Sequence, residues 1–430
     1  MKLPNHLISA VFFILINSFC FSQDVKEVWK YTEQGKDLYV IDLEYDKKGN
    51  TYLLGVADDT LAVNTELQGE VTLYSTTKRT YFLEKLNHKG NLLWVKNLSE
   101  HSISKPEKFA LNKSGEIVLL TSKSDGKNKR DYFLQIYTGE GKLILDKKVI
   151  KNVFYQNNID VKQMILNDDN SIFVLGNFTK HLIIDGLKDT LNAFEGYDSD
   201  DFILKVSEKG EYKWIIKTTG RESARISQIE SDKKGNVYFA GSFEKKCILG
   251  KDTLINDKEG NQLFFGKLNS KGEVETLKKF NRNYSSPSCI FPDEQGNVYL
   301  TGTFTKQIEE HNPTNPNWYY KRFGFITKLN SQFETIWIKK DSSSGWFYSE
   351  AKLSINKDSS IYWLGRFPAN IDYDPSRVIF TSPRTNYNGN YDHDRVAVKH
   401  LSAKGEFLNM YLFPERNYFF YRLKILENQD

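Results

Sequence analysis

The chain has 430 residues, of which 14% are aromatic, and a formal net charge of +4 at pH 7. Because single cores stop growing at about 250–300 residues, this length favours several domains or a repeat architecture. The aromatic content excludes a disordered chain, and the dispersed lysines favour a solvated surface over a nucleic-acid footprint.

The first 22 residues have the features of a secretory signal. A basic end is followed by the ten-residue apolar stretch from Leu7 to Ile16, and the small Ser22 suits cleavage. Such a stretch is too short to span a bilayer. Cys20 raises the alternative of a lipid anchor, although the residue before it is larger than such sites use. We expect residues 1–22 to be removed and residues 23–430 to form one exported domain without membrane insertion, in the periplasm, at the cell surface or outside the cell.

Two kinds of tight turn recur through the rest of the chain. An Asp, Asn, Ser or Thr side chain opens each turn by accepting a backbone N–H, and glycine supplies a positive φ near its end. Such turns close antiparallel hairpins. The first kind begins at Asp46, Asn112, Asn167, Asp232, Asp293 and Asn356. The second kind begins at Asn87, Thr138, Ser207, Asn269, Asn330 and Ser402.

The spacing of the turns divides the chain into six units. Successive first turns are 55 to 66 residues apart, whereas a second turn precedes the next first turn by only 24 to 29 residues. One half of each unit therefore has a nearly fixed length. The other half contains a loop of variable length, here called the variable loop, between the second and third strands.

Short apolar runs such as Val237–Gly241 follow the first turns and indicate strands that are covered on both faces. Four antiparallel strands per unit, repeated six times, predict an all-β fold, a β-propeller of four-stranded blades. The alternative fold is a tandem array of immunoglobulin-like domains. Val28–Tyr31 matches a fourth strand and Asn417–Asn428 a first strand, so we expect these terminal strands to close a small seventh blade. A plain six-bladed ring is the alternative.

Two motifs recur in these units. D-x-x-G-N-x-Y-x-x-G occurs at Asp232–Gly241, and D-F-x-x-K-x-x-x-x-G-x-x-x-W occurs at Asp201–Trp214. With Asn370–Pro375, which resembles a D-F-D-P element, they make the chain similar to the bacterial secreted β-propeller repeat family of SBBP type over roughly residues 24–430. The resemblance implies the fold but no catalytic residues, because the family shares none. Unit two departs from the pattern and lacks the Asn after Gly115 and the Trp.

Catalytic motifs are absent from the sequence, which has no G-x-S-x-G, H-E-x-x-H, P-loop or C-x-x-C. Surface loops account for the histidines that remain after processing. These are His88, His101, His181, His311, His393 and His400. Export would allow Cys247 and Cys289 to form a disulfide, but the sequence does not show whether the two residues lie close enough. The alternative is that Cys289 is buried as a small apolar residue.

Aspartates provide the only candidate metal ligands, and oxygen donors of this kind suit calcium. The candidates are Asp198, Asp200, Asp201, Asp372, Asp374, Asp392 and Asp394. Against this, Asp131, Asp201 and Asp394 occupy the same position before the third strand, which favours a structural hydrogen bond to loop backbone. We expect no cofactor, with calcium as the alternative.

Aromatic residues in the variable loops are the candidates for binding. Trp29, Trp94, Trp214 and Trp337 share one position in fourth strands and are interpreted as structural. Trp318 has no counterpart in other units. The predicted binding site on the variable-loop face consists of Trp318, Tyr319, Tyr320, Arg322, Trp346, Tyr348 and Arg384.

Aromatic faces and cationic groups suit a carbohydrate or a protein partner. The sequence therefore predicts a non-enzymatic binding or scaffold protein. The alternative function is a propeller enzyme, a lyase or hydrolase acting on polysaccharide. The alternative structural role of Tyr348 is to fill the interface between blades.

Overall fold

The structure is a computed structural model of the chain. It describes residues 7–14, 26–34, 39–58, 61–74, 79–99, 104–124, 129–152, 157–194, 199–219, 224–307, 320–341, 352–356, 358–368 and 394–412. Every regular element in these ranges is a β-strand, and every pairing is antiparallel. Strands β1 (Leu7–Ile14) and β2 (Lys26–Gln34) pair with each other in a two-stranded sheet.

Described residues up to Ile215 form one compact unit, which contains blades 1 to 3 except for the last residues of the final strand. Blade 1 contains β3 (Tyr39–Tyr45), β4 (Thr51–Asp58), the hairpin strands β5 (Leu61–Thr65) and β6 (Gly69–Leu73), β7 (Arg79–Leu86) and β8 (Leu92–Asn97). Blade 2 contains β9 (Ser104–Leu111), β10 (Ile117–Ser124), β11 (Arg130–Tyr137) and β12 (Leu143–Lys151). Blade 3 contains β13 (Ile159–Leu166), β14 (Ile172–Phe178), the hairpin strands β15 (His181–Ile184) and β16 (Leu191–Asn192), β17 (Asp200–Val206) and β18 (Tyr212–Thr219).

Described residues from Ile216 onward form the second compact unit, which contains blades 4 to 6. Blade 4 contains β19 (Arg225–Ser231), β20 (Val237–Phe243), the hairpin strands β21 (Lys246–Leu249) and β22 (Asp252–Ile255), β23 (Gln262–Leu268) and β24 (Val274–Asn283). Blade 5 contains β25 (Ser286–Pro292), β26 (Val298–Gln307), β27 (Tyr320–Leu329) and β28 (Thr335–Asp341). Blade 6 contains β29 (Lys352–Ile355), β30 (Ile361–Pro368), β31 (Asp394–Leu401) and β32 (Phe407–Leu412).

The four main strands of each blade follow chain order across the sheet. In the first unit β3 packs beside β9 and β9 beside β13, and in the second unit β19 packs beside β25 and β25 beside β29. First strands of successive blades thus lie side by side, as in a β-propeller. The predicted fold class is confirmed, with six four-stranded blades. Unit two is a complete blade despite its departure from the repeat.

Both predicted kinds of turn are confirmed. In the turn at Asp232, the Gly235 N–H donates to the Asp232 carbonyl at 3.0 Å, and the Asp232 side chain accepts the N–H groups of Lys234 and Asn236. Gly235 has a φ of +78°, a conformation that glycine adopts without a Cβ clash. Because strands alternate in direction, both turns of a blade lie at one end of it, called the turn end. The variable loops and the connections between blades lie at the opposite end, called the loop end.

Hydrophobic cores lie between the facing sheets of neighbouring blades. Between blades 4 and 5, Phe265 of one sheet and Leu300 of the other belong to a single buried cluster. Between blades 5 and 6, Tyr299 and Trp363 belong to a second buried cluster. The internal strand β26, which contributes Tyr299 and Leu300, is therefore covered on both faces, as its apolar sequence predicts.

Three variable loops contain hairpins that cover exposed sheet edges. Hairpin β5–β6 lies along its own fourth strand, where Leu67 N–H donates to the Leu93 carbonyl at 3.1 Å. Strand β15 instead pairs with β12, the fourth strand of blade 2, and β21 pairs with β18. An unpaired sheet edge can pair with a strand of another chain, and these hairpins cover such edges. The sequence did not predict these hairpins.

The predicted seventh blade stays a prediction. Asn417–Asn428 lies outside the described residues, so its pairing with the N-terminal strand is untested. Val28–Tyr31 lies in strand β2, and its predicted place as the fourth strand of a seventh blade stays a prediction. In the structure β2 pairs with β1, whose residues the sequence assigns to the cleaved signal.

An aromatic ring, a lysine and a tryptophan recur on the second, third and fourth strands of a blade. In blade 5, the Lys328 Nζ lies 4.9 Å from the centre of the Tyr299 ring, and that ring contacts Trp337 edge-on at 6.3 Å. The same lysine contact occurs between Lys85 and Tyr52 in blade 1. Cation–π contacts stabilise a partly desolvated ammonium group. Matching pairs are Lys205 with Phe173 and Lys267 with Tyr238.

Candidate functional site

The predicted binding site lies largely outside the described part of the chain. The residues whose positions are not described are Trp318, Tyr319, Trp346, Tyr348 and Arg384. Whether these side chains come together stays a prediction. Tyr320 and Arg322 lie in β27, opposite Gln307 and Thr305 of β26.

The hairpin β26–β27 of blade 5 extends further toward the loop end than its counterpart in blade 4. Both of its strands have ten residues, whereas β20 and β23 have seven each. The strands begin and end at the same positions relative to their turns, so the additional residues lie at the loop end. At about 3.3 Å per residue, they extend the hairpin by roughly 10 Å. The last described pair of this hairpin, Gln307 and Tyr320, therefore lies beyond the end of the central hairpin of blade 4.

Stacked phenylalanine rings lie at the base of this extended hairpin. Phe304 and Phe323 are paired across β26 and β27 with ring centres 5.3 Å apart and an interplanar angle of 16°. Phe325 lies next to Phe304, and Phe280 of blade 4 stacks on Phe325 at 4.8 Å and 8°. The stack joins blade 4 to blade 5 and gives the hairpin a rigid base.

Arg282 lies over one end of this stack. Its guanidinium carbon is 5.5 Å from the centre of the Phe304 ring, and its side chain is exposed. In the described parts of the chain no carboxylate forms an ion pair with Arg282. The face of an aromatic ring attracts a nearby arginine cation, whose N–H groups can also donate hydrogen bonds to a bound group.

Tyr284 follows in the connection between blades 4 and 5. Its φ of +50° is in the left-handed region, which is unfavourable for a tyrosine. The ring lies against Gly260, where an added Cβ would be 2.3 Å from it, so only glycine fits beneath. Thr305 Oγ1 donates to the Tyr284 carbonyl at 3.2 Å, and Ser285 Oγ donates to the Arg282 carbonyl at 2.6 Å. The connection is therefore fixed while 38% of Tyr284 remains exposed.

Sequence reasoning missed Arg282 and Tyr284. Both lie near the connection between two blades, where no residue type repeats from unit to unit. Turn spacing does not show where a fourth strand ends. The sequence therefore provides no reason to expect that β24 has ten residues, compared with seven in β20. The run Phe-Asn-Arg-Asn-Tyr at residues 280–284, in which asparagines separate two aromatic residues and an arginine, is the signal that could have identified them.

The aspartates considered as calcium ligands have structural partners where they are described. Both carboxylate oxygens of Asp201 are 2.7 Å from the Lys162 Nζ, and the Asp201 side chain is fully buried. Asp200 accepts the Phe194 N–H at 3.2 Å. Asp131 accepts the backbone N–H of Asn152 at 2.9 Å, which agrees with a structural role. Asp394 begins β31, while the other four candidates lie outside the described residues.

Two cysteines, Cys247 and Cys289, and three histidines, His88, His181 and His400, lie in the described residues. Cys247 is buried and Cys289 is half-buried, and no disulfide joins them. The assignment of all histidines to surface loops is wrong for His181, in β15, and for His400, in β31. His400 is half-buried and stacks on Tyr362 at 4.2 Å and 9°.

Neither a metal site nor a membrane-spanning helix is found among the described residues. Their His, Cys, Asp and Glu side chains include no group of three or more that could hold a metal ion. Within the same ranges there is no helix with the length and apolar character needed to cross a membrane.

Comparisons with known proteins add little about function. No protein-family model matches the chain, and no curated protein matches its sequence. Among solved structures, it is similar to puromycin hydrolase with 10% identity and a TM-score of 0.37, covering 78% of this chain and 43% of the hydrolase. The chain thus spans less than half the length of that protein.

Two other solved structures show similarities of the same order. A member of the DUF4221 family from Bacteroides vulgatus has 12% identity and a TM-score of 0.31, covering 77% of this chain and 91% of that protein. The Synechocystis apocarotenoid oxygenase has 12% identity and a TM-score of 0.39, covering 85% and 68%. At these TM-scores and identities the similarities carry no argument about activity.

Proposed function

We propose that the chain is an exported, non-enzymatic binding or scaffold protein that holds a glycan or a protein partner at the loop end of its blades. The binding surface is centred on blade 5 and includes the segment Asn317–Arg322. Export rests on the secretory signal expected at residues 1–22.

The observation that supports this proposal most directly is the extended hairpin β26–β27. A long two-stranded ladder on a stacked aromatic base is an ordered surface, and a surface that is ordered before binding limits the entropy that is lost when a partner binds. The ladder continues to the pair Gln307 and Tyr320, and Trp318 precedes Tyr320 by two residues in the sequence. Loops supported on a rigid scaffold are where binding residues concentrate.

The experiment is a retention screen of the secreted full chain on immobilised polysaccharides and on proteins from the culture medium. We compare the wild type with a Trp318→Ala and Tyr320→Ala double variant. We expect the wild type to be retained on at least one ligand and the double variant to lose that retention while its melting temperature is unchanged.

The matched control is Tyr74→Ala. Tyr74 is a tyrosine that is 67% exposed at the loop end of blade 1. Its loss should leave retention unchanged. If the double variant keeps both its melting temperature and its retention on every ligand that the wild type binds, the proposed surface is wrong.

A further inference from the structure

We infer that the outer edge of β28 in blade 5 is a docking surface for residues 370–374 of the same chain, which add to it as an antiparallel strand. These five residues, Asn-Ile-Asp-Tyr-Asp, lie outside the described residues. The inference goes beyond the proposed binding function, because it assigns a partner surface to the motif at residues 370–375, which that function leaves unused.

This mode of docking is already present twice in the structure. Strand β15 of blade 3 pairs with β12, the fourth strand of blade 2, and Ile184 lies opposite Ile150. Strand β21 of blade 4 pairs in the same antiparallel way with β18 of blade 3, where Leu249 lies opposite Thr218. In both cases a strand from a variable loop extends the sheet of the preceding blade.

Sequence spacing places an equivalent element in blade 6. Strand β15 begins at His181 and β21 at Lys246, each 14 residues after the residue that opens the first turn of its blade. In blade 6 that turn opens at Asn356, and the residue 14 positions later is Asn370. Residues 370–374 therefore occupy the position at which the two described docking strands begin.

The apolar pattern of these residues also matches. In β15 and β21 the second and fourth residues are buried, and in β15 they are Leu182 and Ile184. The second and fourth residues of the blade 6 segment are Ile371 and Tyr373, and the polar Asp372 separates them. This period of two is the pattern of a strand with one covered face.

Blade 5 lacks this pattern and provides a contrast. The residue 14 positions after its first turn is Gln307, which continues the ladder between β26 and β27. The fourth residue counted from Gln307 is Glu310, which is charged rather than apolar. In the part of the chain that the structure describes, β24 of blade 4 accordingly ends a four-stranded sheet. Spacing and apolar pattern together therefore mark a docking strand.

Strand β28 offers an open edge. It is the last strand of the sheet formed by β25 to β28, and no further strand pairs with it within the described ranges. The outward backbone N–H and C=O groups of such an edge are a template for an added strand. The strands β12 and β18 carry docked strands at this same edge of their blades.

The two fourth-strand tryptophans define the expected register. Trp337 of β28 occupies the position of Trp214 in β18. Counted from these tryptophans, Asp341 corresponds to Thr218, which lies opposite the fourth residue of β21. We therefore expect Tyr373, the fourth residue of the blade 6 segment, to lie opposite Asp341.

Charge complementarity supports this register. In blade 3 the Asp185 carboxylate, directly after β15, forms an ion pair with Lys151 of the receiving strand at 3.1 Å. Asp374 holds the same position in blade 6, and the register places it opposite Lys340. Lys339 and Lys340 are exposed, and among the described residues neither has a carboxylate partner. Opposite charges on neighbouring strands stabilise the pairing.

A disulfide test in the full chain measures this pairing. Directly opposite residues of antiparallel strands have Cα atoms about 4.5–5.5 Å apart, which a disulfide can bridge. In a background without the native cysteines, we expect Asp341→Cys and Tyr373→Cys to form an intramolecular disulfide under mild oxidation, detected by peptide mass analysis. The positive control is Thr218→Cys with Leu249→Cys, whose positions are opposite each other in the structure.

The negative control moves one cysteine along the same strand. Thr335 lies six residues from Asp341, about 20 Å away at about 3.3 Å per residue. Thr335→Cys with Tyr373→Cys should therefore stay reduced.

A charge exchange gives a second measurement in the chain that keeps its cysteines. Lys340→Glu should lower the melting temperature by about 1–2 °C, because it places a carboxylate opposite Asp374. Adding Asp374→Lys reverses the pair and should restore the melting temperature of the wild type.

The inference is overturned if Asp341→Cys with Tyr373→Cys forms no more disulfide than the negative control while the positive control closes. It is also overturned if the charge exchange recovers none of the loss caused by Lys340→Glu. A disulfide that joins two copies, with a dimeric mass in light scattering, would show that the edge binds a second copy instead. None of these results depends on ligand binding, so the retention screen tests the proposed function separately.

Discussion

The ring of Phe333 stacks on the ring of Phe265, with centres 5.8 Å apart and an interplanar angle of 23°. Phe333 is the residue of the second turn in blade 5 at which blades 1 to 4 and blade 6 have glycine, and it adopts a φ of +60°. The same ring lies 6.1 Å from that of Tyr238. In blades 1, 3 and 5 a fourth-strand tryptophan contacts the corresponding second-strand aromatic ring. Blade 4 has Thr276 at the tryptophan position, and Phe333 supplies the missing ring from the next blade.

This relationship predicts a compensating exchange. Phe333→Gly relieves the backbone strain but removes a buried ring, so we expect a net loss of about 2 kcal/mol in unfolding free energy. Adding Thr276→Trp recreates the pattern of blade 5, where Trp337 lies beneath Gly405, and should recover most of the loss. Chemical denaturation of the two variants measures both effects. A double variant that is no more stable than Phe333→Gly would show that the two positions are unrelated.

Replacing a buried lysine in blade 5 should lower the free energy of unfolding more than replacing an exposed lysine. Lys328 and Asp293 have side chains that are 13% and 4% exposed, and their Nζ and Oδ2 atoms are 3.6 Å apart. Lys328→Met leaves the buried carboxylate without its cation, which should cost about 2–3 kcal/mol.

The matched variant is Lys233→Met, which breaks the ion pair with Glu294 where both side chains are mostly exposed. Exposed pairs contribute little, so the expected change is within about 0.5 kcal/mol. Urea denaturation of the two variants measures both changes in unfolding free energy. Equal effects would mean that burial does not determine the energy of these lysine contacts.

Stability should fall in acid because of His400. Burial of the imidazole lowers the pKa of His400 below its ordinary value of about 6.5, while Asp358 raises the pKa by a smaller amount. The unfolded chain therefore takes up this proton first as the pH falls. The stability contributed by neutral His400 is fully present above the unfolded pKa and is lost as the pH falls below about 6.5 toward the folded pKa.

His400→Gln removes the titrating group and should reduce the loss of stability between pH 7.5 and pH 5, as measured by thermal unfolding across that range. Exposed His88 provides the control, since His88→Gln should leave the pH dependence of the wild type in place. If both variants follow the wild-type curve, His400 does not contribute to the acid sensitivity.

The stability lost on replacing the glycine of a second strand should be recoverable by a second substitution only where a side chain, rather than backbone, blocks the added Cβ. At Gly55 the three nearest atoms to an added Cβ all belong to the Phe82 ring, the closest at 2.2 Å. At Gly241 the nearest is the Arg225 carbonyl oxygen, at 2.1 Å, which is backbone. Gly55→Ala and Gly241→Ala should each cost about 2–3 kcal/mol through overpacking.

A second substitution distinguishes the two sites. Phe82→Leu should recover part of the stability of Gly55→Ala, whereas Phe264→Leu should recover nothing for Gly241→Ala. Thermal unfolding of the four variants tests this difference. Equal recovery at both positions would contradict the steric explanation.

The strands and turns could be predicted from sequence because their signals are local. A turn such as Asp232–Asn236 is determined by its own side chains, and its spacing to the next turn defines the blade. The hairpin strand β15 could not be predicted as a partner of β12, because that pairing depends on which blade lies nearby. The exchange between Thr276 and Phe333 is visible as two departures from the repeat, but only their proximity explains it. Tyr284 has its ring over Gly260, a contact that no spacing in the chain reveals.

Hydrogen–deuterium exchange with the best-retained ligand tests the proposed binding surface most directly. The full chain is compared with and without that ligand, using peptides that cover both ends of blades 4 and 5. We expect slower exchange in residues 280–286 and 303–323 and unchanged exchange in the turns 232–236 and 293–297. Protection confined to those turns, with none at the loop end, would contradict the account.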